Sequence, residues 1–385
     1  MEVNLRLQNS QPGATYARPM TGSATFRADH VGSLLRPPAL LGARQRRDAG
    51  QIGPDELRAI EDDAIAAVVA AQQETGISVL TDGEFRRRDF RTGFVEAVDG
   101  ITMRTFDMPW HTSSGMTKLP SKSFTVTGRL KQRTRLAAGE AAYLKSLTPA
   151  PVKVTLIAPG FLEDRFWRDG ETDQCYDSPG ELAAEVAAIT RAEIEALIGE
   201  GVQYVQLDNP GYGAFLGAHG REQDSAAFER MVDTDRAAVE GVRRPAGVTI
   251  GLHVCRGNQS SMWLGEGDYQ PVAERLFGTV PVDRFLLEYD DDRAGGSGPL
   301  RYVPAGAMVV LGLVSSKSPV PETADALARR IDAAAAFTGL DRLALSPQCG
   351  FASVAEGGNQ LTPEEQFAKL RLVAGTARTI WGQAG

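Results

Sequence analysis

The sequence has only three cysteines in 385 residues, a number too small and odd to build a disulfide-stabilised scaffold. It also lacks any apolar run near the roughly 18 to 20 residues that span a bilayer. The first 25 residues lack the apolar segment of a secretory signal. These absences argue against a disulfide-rich secreted protein and a helical membrane protein. They predict a cytoplasmic chain whose thiols serve chemistry, metal binding or packing.

The sequence also has fewer basic than acidic residues. It contains 41 Lys and Arg and 49 Asp and Glu, which gives a formal net charge of −8. Such a chain has no general attraction for nucleic acid or for an anionic membrane. The 42% of hydrophobic residues is ample for a large buried core, which excludes bulk disorder. We therefore expect small-molecule partners and no nucleic acid or membrane partner, and a homo-oligomer is compatible with the sequence.

Short apolar runs alternate with longer amphipathic stretches after residue 25, a pattern typical of β-α units that build a parallel sheet. The sequence predicts an α/β fold, a single (β/α)8 TIM barrel over residues 26–385, preceded by a flexible arm at residues 1–25. The eight predicted strands are 28–34, 78–82, 152–158, 204–208, 249–254, 284–288, 308–315 and 342–346. A doubly wound open sheet is the alternative, but the sequence has no G-x-G-x-x-G motif after the first predicted strand and no Walker loop.

Helical patterns separate most of these strands, and the clearest cover residues 54–74, 181–199, 225–242, 321–337 and 363–380. The alternation breaks near residues 100–131, which are rich in Thr, Ser, Pro and Lys. We interpret this stretch as an inserted β-hairpin or flap over one end of the barrel. Trp110 and His111 lie in it, and they either cover a substrate or pack locally.

The carboxyl ends of barrel strands line the active site, and several predicted strands here end in reactive side chains. His253 and Cys255 are two residues apart in an extended segment, which projects both side chains to one face. An imidazole and a thiolate suit zinc, and Glu288 and Cys349 at the ends of later strands are further candidate ligands. Packing of an isolated His and Cys is the alternative, whereas Cys175 lies in a polar loop.

Taken together, these motifs resemble the catalytic half of cobalamin-independent methionine synthase and its single-barrel relatives, which include epoxyalkane:coenzyme M transferase. The resemblance spans residues 26–381, and its carriers occur in the same order along the chain. They are His30-Val31-Gly32-Ser33, Asp82-Gly83-Glu84, Gln206-Leu207-Asp208, His253-Val254-Cys255, Glu288 and Cys349-Gly350. It implies a catalytic Zn²⁺ held by His253, Cys255, Glu288 and Cys349.

The resemblance also implies a reaction in which zinc lowers the pKa of a thiol and the bound thiolate attacks an electrophilic carbon. The family's thiol is homocysteine, and its amino-acid end is expected to contact groups at Ser33, Glu84 and Asp208. A carboxylate pair suits an ammonium, and hydroxyl or backbone N–H donors suit a carboxylate. For Glu84 the alternative is an ion pair with neighbouring arginines. His30 and Arg86 complete the predicted substrate-binding set, and Lys317 and Asp208 are the predicted catalytic residues.

Three departures from the family pattern concern the substrates. The chain has room for one barrel only, whereas methionine synthase has a second half. Asp208-Asn209-Pro210 replaces the family's Asp-Glu-Pro, and Lys317 occupies the place of a family histidine. Lysine supplies a cation but is a poor base at its usual pKa. The arginines of segment 85–91 are expected to bind a folate tail, the sulfonate of coenzyme M, or acidic surface residues.

The leading hypothesis is therefore a zinc-dependent S-methyltransferase that forms methionine from homocysteine, with a small thiol and an alkyl donor as partners. Epoxide ring opening by a zinc-activated thiol such as coenzyme M is the alternative among enzymes. A non-catalytic zinc- or thiol-binding barrel is the alternative outside them. The chemistry of the site argues against a decarboxylase related to uroporphyrinogen decarboxylase, which would not need the metal set. A hydrolase using Glu84 with Asp208 would also leave that set idle.

Overall fold

The computed structural model describes residues 26–112, 114–217, 225–353, 355–356 and 359–382, so the arm predicted at residues 1–25 lies outside the described residues. The strands are β1 Val98–Thr112, β2 Gly115–Gln132, β3 Lys153–Ile157, β4 Tyr204–Asp208, β5 Thr249–Val254, β6 Arg284–Glu288, β7 Met308–Val314 and β8 Leu343–Pro347. The α-helices are α1 Pro38–Asp48, α2 Pro54–Thr75, α3 Thr92–Ala97, α4 Ala138–Leu147, α5 Pro159–Phe166, α6 Pro179–Gly199, α7 Ser225–Val239, α8 Gln270–Thr279, α9 Ala324–Thr338 and α10 Pro363–Trp381.

A six-stranded parallel sheet, ordered β3-β4-β5-β6-β7-β8, forms the centre of the molecule. Every residue of these six strands is buried, as expected for a parallel sheet that is covered on both faces. Because the strands follow one another in chain order and run the same way, their carboxyl ends lie at one edge. The register pairs Asp208 with His253, and so aligns the ends of β4 and β5.

Two of the eight predicted strands, 28–34 and 78–82, do not form continuous strands of the six-stranded sheet. Each segment makes one parallel bridge instead, Ala28 with Leu345 of β8 and Leu80 with Val152 just before β3. The physical reason is that side chains take several of their backbone donors. The amide of Ala28 donates to Ser78 Oγ at 3.2 Å, and the amide of Thr81 donates to Gln72 Oε1 at 3.0 Å.

The five predicted helices are present, with boundaries within three residues of the prediction. Helix α2 ends at Gly76, whose φ of 77° is the left-handed conformation that glycine adopts readily. Helix α10 begins with a capping box in which Thr362 and Glu365 bond each other's backbone amides. Helices α1, α3, α4, α5 and α8 were not predicted. Each has 11 residues or fewer, which is too short for a helical period to be distinguished reliably in the sequence.

The break in the pattern near residues 100–131 is an antiparallel hairpin made of β1 and β2. Near its tip, His111 and Trp263 exchange backbone hydrogen bonds of 2.9 and 3.2 Å, and their rings stack with centroids 6.4 Å apart. Trp263 lies in the connection after β5, so the hairpin contacts the segment that follows Cys255. The role of a flap stays a prediction. Within the described residues, no helix has the length and apolar character needed to cross a membrane.

Candidate metal centre

Four predicted ligands meet at the carboxyl edge of the sheet: His253 in β5, Cys255 directly after it, Glu288 at the end of β6 and Cys349 after β8. One ligand atom from each lies within 4.8 Å of all the others. His253, Glu288 and Cys349 are buried, and Cys255 is partly exposed. We call these four residues the metal centre, because they are a donor set of nitrogen, two sulfurs and a carboxylate that is typical of zinc.

The donor atoms are oriented as metal ligands would be. The sulfurs of Cys255 and Cys349 are 3.6 Å apart. His253 has its Nδ1 atom 3.3 Å from the carbonyl oxygen of Leu286, while its buried Nε2 atom has no hydrogen-bond partner. A ligating histidine commonly donates its second nitrogen to a carbonyl. The unpartnered Nε2 atom therefore fits a metal ion, which would satisfy a polar atom that is otherwise costly to bury.

Glu288 is held by three donors. Its Oε1 atom accepts a hydrogen bond of 2.7 Å from the backbone amide of Arg256. Its Oε2 atom lies 3.2 Å from Gln348 Nε2 and 3.4 Å from Lys317 Nζ. Although burial raises the pKa of Glu288, the cation of Lys317 and then His253 lower it more, so the carboxylate is ionised. An ionised, fixed carboxylate suits a metal ligand.

The metal centre also has perturbed thiol and imidazole acidities. The hydrogen bond from Cys255 lowers the pKa of Cys349 to about 6, and it raises the pKa of Cys255 well above the usual range. Burial lowers the pKa of His253, but the Cys349 sulfur, Asp208 and Glu288 outweigh it and raise that pKa to about 9. The protein therefore favours a negative charge on Cys349, where a cation would also be bound.

Asp208 and Glu84, two of the predicted substrate-binding residues, are both buried. Burial raises the pKa of Asp208 to about 7; His253 opposes this shift and the charge of Glu84 adds to it, so all three groups interact electrostatically. Glu84 accepts a 2.9 Å hydrogen bond from Thr155 and lies 3.8 Å from Arg87 Nη1. Its backbone φ of 59° is unusual for a residue with a side chain.

Ser33 lies against the loop that carries Cys349. A Cβ atom added to Gly350 would lie only 2.0 Å from Ser33 Oγ, so glycine is needed there for the close approach. His30 is buried, with Nε2 3.1 Å from the carbonyl oxygen of Val79. Burial and then the nearby Lys153 lower the pKa of His30 to about 4, which keeps the ring neutral.

Lys317 and Arg86 have different surroundings. Lys317 is buried beside the metal centre, through the contact with Glu288. Arg86 lies over the ring of Tyr143 and pairs with Glu61 and Asp62 of α2. These contacts account for the charge of Arg86 and provide no support for a substrate-binding role.

Sequence reasoning assigned no role to Gln348 and Thr155. Gln348 precedes Cys349, and besides its bond to Glu288 it accepts the amide and hydroxyl of Ser316 at 2.8 Å. Thr155 accepts a 2.8 Å bond from Arg87 while it donates to Glu84. Two sequence features could have pointed to these residues. Gln348 is a polar residue directly before a predicted ligand, and Thr155 is a polar residue within a predicted buried strand.

Asn209, where the resemblance implies a glutamate, has a local structural role. Asn209 Nδ2 donates to Asp235 Oδ2 at 2.7 Å, and its Oδ1 atom accepts the amide of Gly211 at 2.9 Å. Tyr212 and the amide of Gly160 also donate to Asp235, at 2.8 Å each. The side chain of Asn209 thus serves the loop after β4 and faces a carboxylate that would repel a glutamate.

Asn209→Asp is expected to lower the free energy of unfolding by about 2–4 kcal/mol, because it buries a second carboxylate against Asp235. Both residues have zero exposed fraction. Urea unfolding at pH 8 should reveal the loss, since burial raises the pKa of Asp235 only to about 6. The double variant Asn209→Asp/Asp235→Asn, which restores a donor–acceptor pair, should recover most of the stability. A single variant as stable as the parent would contradict this account.

Comparisons of the sequence and the structure with known proteins point to one protein family. A family model described as "Cobalamin-independent synthase, Catalytic domain" matches residues 26–371. The uncharacterized Bacillus subtilis protein YxjH is 38% identical over 374 residues, which cover 93% of this chain and 95% of that protein. A methionine synthase of Sulfolobus acidocaldarius is 29% identical over 231 residues, 60% of this chain and 61% of that one.

A solved structure from Listeria monocytogenes, assigned as a vitamin-B12-independent methionine synthase, has a TM-score of 0.73 and 30% identity. It covers 94% of this chain and 100% of that chain. A Shewanella B12-independent methionine synthase in complex with selenomethionine has a TM-score of 0.71 and 22% identity, and shows the fold alone. Since the family model matches most of the chain, this protein belongs to the family of cobalamin-independent synthase catalytic domains.

Proposed function

We propose that this protein is a zinc-dependent thiol S-methyltransferase that converts homocysteine to methionine. The observation that carries the proposal is the convergence of His253, Cys255, Glu288 and Cys349 within 4.8 Å. Several relatives in the family are named methionine synthase, which supports homocysteine as the acceptor. Zinc held by these residues would act as a Lewis acid that lowers the pKa of the incoming thiol.

The other side chains at the carboxyl edge suit the amino-acid end of homocysteine. Glu84 and Asp208 provide carboxylates for an ammonium group, and Ser33 provides a hydroxyl for a carboxylate. Binding at both ends would direct the sulfur towards the metal centre. Transfer then forms the bond between sulfur and the methyl carbon as the donor's bond to that carbon breaks. The donor keeps the electron pair, and the thiol proton passes to solvent.

We also propose that residues 26–385 form one catalytic domain and that segments 28–34 and 78–82 complete a (β/α)8 barrel. Support comes from backbone hydrogen bonds beyond the six strands. Leu345 donates to Arg27, Asp29 donates to Leu345, and Lys153 donates to Leu80, at 2.8–2.9 Å. The amide of Ser78 donates to Ala28 at 3.0 Å, which links the two segments to each other.

X-ray absorption at the zinc edge tests the function directly. With homocysteine added, one light-atom neighbour of zinc should be replaced by sulfur, and methionine should form when a methyl donor such as methyltetrahydrofolate is supplied. Coenzyme M serves as the comparison thiol. A sulfur gained only with coenzyme M would favour epoxide ring opening, and no sulfur from either thiol would favour a non-catalytic barrel. Either result would overturn the proposal.

A further inference from the structure

Lys317 contacts the metal centre through one ligand. It follows β7 at the carboxyl edge of the sheet, is 8% exposed, and has its Nζ atom 3.4 Å from Glu288 Oε2. Gln348 shares the same oxygen atom at 3.2 Å. The other carboxylate oxygen is occupied by the amide of Arg256. Lys317 therefore acts on the metal centre through Glu288, and it brings a full positive charge to a buried location.

The charge balance of the metal centre explains why a cation would be useful there. Two thiolates and one carboxylate bring three negative charges against the two positive charges of zinc. A substrate thiolate would add one more negative charge. Uncompensated charge in a buried site is costly, because low-dielectric surroundings solvate it poorly. Lys317 offsets part of that charge, and its ammonium also repels the metal ion itself.

We propose that Lys317 is a positioning and charge-compensating residue that fixes Glu288. Its positive charge strengthens the binding of a third, anionic sulfur at the metal centre and weakens the binding of the metal ion. This inference rests on the proposed function, because it assumes that a thiol substrate enters as an anion. It predicts changes of opposite sign when the charge is removed: zinc should bind more tightly and the thiol more weakly. A residue needed only for folding would weaken both.

Three substitutions separate charge from hydrogen bonding. Lys317→Arg keeps the charge and the donors, Lys317→Gln keeps a donor only, and Lys317→Met keeps neither. Zinc affinity is measured by competition with a chromophoric chelator, and homocysteine affinity by titration of the zinc-loaded or cobalt-loaded protein. Lys317→Gln and Lys317→Met are expected to bind zinc about 10-fold more tightly and homocysteine about 10-fold more weakly. Lys317→Arg should remain close to the parent in both affinities.

Lys369→Met is the matched control. Lys369 is also a buried lysine in an ion pair, with its Nζ atom 3.0 Å from Glu322 Oε2, but it contacts none of the four ligands by this pair. The Lys369→Met substitution should leave the zinc and homocysteine affinities unchanged. If Lys317→Gln binds zinc no more tightly, or binds homocysteine as well as the parent, the inference is wrong. If the parent binds zinc but never homocysteine, the proposed function fails instead. If Lys317→Met does not fold, the comparison of Lys317→Gln with Lys317→Arg decides.

Discussion

Cys255→Ser is expected to lose zinc and, with it, methyl transfer to homocysteine. A serine hydroxyl stays protonated at neutral pH and is a poor zinc ligand, whereas a cysteine binds as the thiolate. Replacing a partner of a ligand typically costs 10- to 100-fold in metal affinity, so loss of a ligand should cost more than about 100-fold. Zinc affinity by chelator competition and methionine formation with added zinc are the measurements.

Cys175→Ser is the control for this substitution. Cys175 lies in the connection between α5 and α6, and its Sγ atom lies 3.2 Å from the carbonyl oxygen of Thr172. It is not among the four residues of the metal centre. The control should therefore keep the parent's zinc affinity and activity. A Cys255→Ser protein that retains tightly bound zinc and full activity would remove Cys255 from the ligand set and end the proposed mechanism.

Glu84→Gln is expected to weaken homocysteine binding by about 10- to 100-fold, because a charge-assisted contact to the substrate ammonium is worth roughly 1.5–3 kcal/mol. The effect should depend on the amino group of the thiol. 4-Mercaptobutanoate, which is homocysteine without that group, should bind the variant and the parent within about threefold of each other. Competition titrations of the zinc-loaded protein with both thiols provide the comparison.

The structure offers a close control for Glu84→Gln, because Arg87 pairs with two carboxylates. Arg87 Nε lies 3.0 Å from Glu140 Oε1, and Arg87 Nη1 lies 3.8 Å from Glu84. Glu140→Gln removes an ion pair of Arg87 and keeps Glu84. If both variants weaken both thiols equally, Glu84 acts only by ordering Arg87. Homocysteine affinity that is unaltered in Glu84→Gln would end its assignment to the ammonium group.

The grouping of the four ligands was accessible from the sequence for two different reasons. His253 and Cys255 follow the period of two in a strand, which is a local rule. Glu288 and Cys349 were candidates because they end later predicted strands, and the order of motifs along a known family then joined them to this pair; no local pattern predicts that contact. The structure brings all four together. Their neighbours Gln348 and Lys317 meet Glu288 from two other strands, so that shell depends on tertiary packing.

Long-range contacts of polar side chains explain what the sequence-based predictions left open or missed. The arginines of segment 85–91 were expected to form an anion site or to contact acidic surface residues, and Arg88, which pairs with the exposed Asp48, agrees with the second alternative. Arg87 is buried against Glu140, 53 residues away, and Thr155. The strands predicted at 28–34 and 78–82 lose regular pairing because Ser78 and Gln72 capture backbone amides. Hydrophobic periodicity carries no information about such partners.

The bridges made by Ala28 and Leu80 have a consequence for the solubility of shortened chains. They occupy backbone groups at the two outer strands of the six-stranded sheet, β8 and the start of β3. An open parallel edge rich in valine and leucine is a template on which other polypeptides add and precipitate. Trimming the chain past its first bridging segment would uncover Leu345 in β8, and self-association would then compete with refolding.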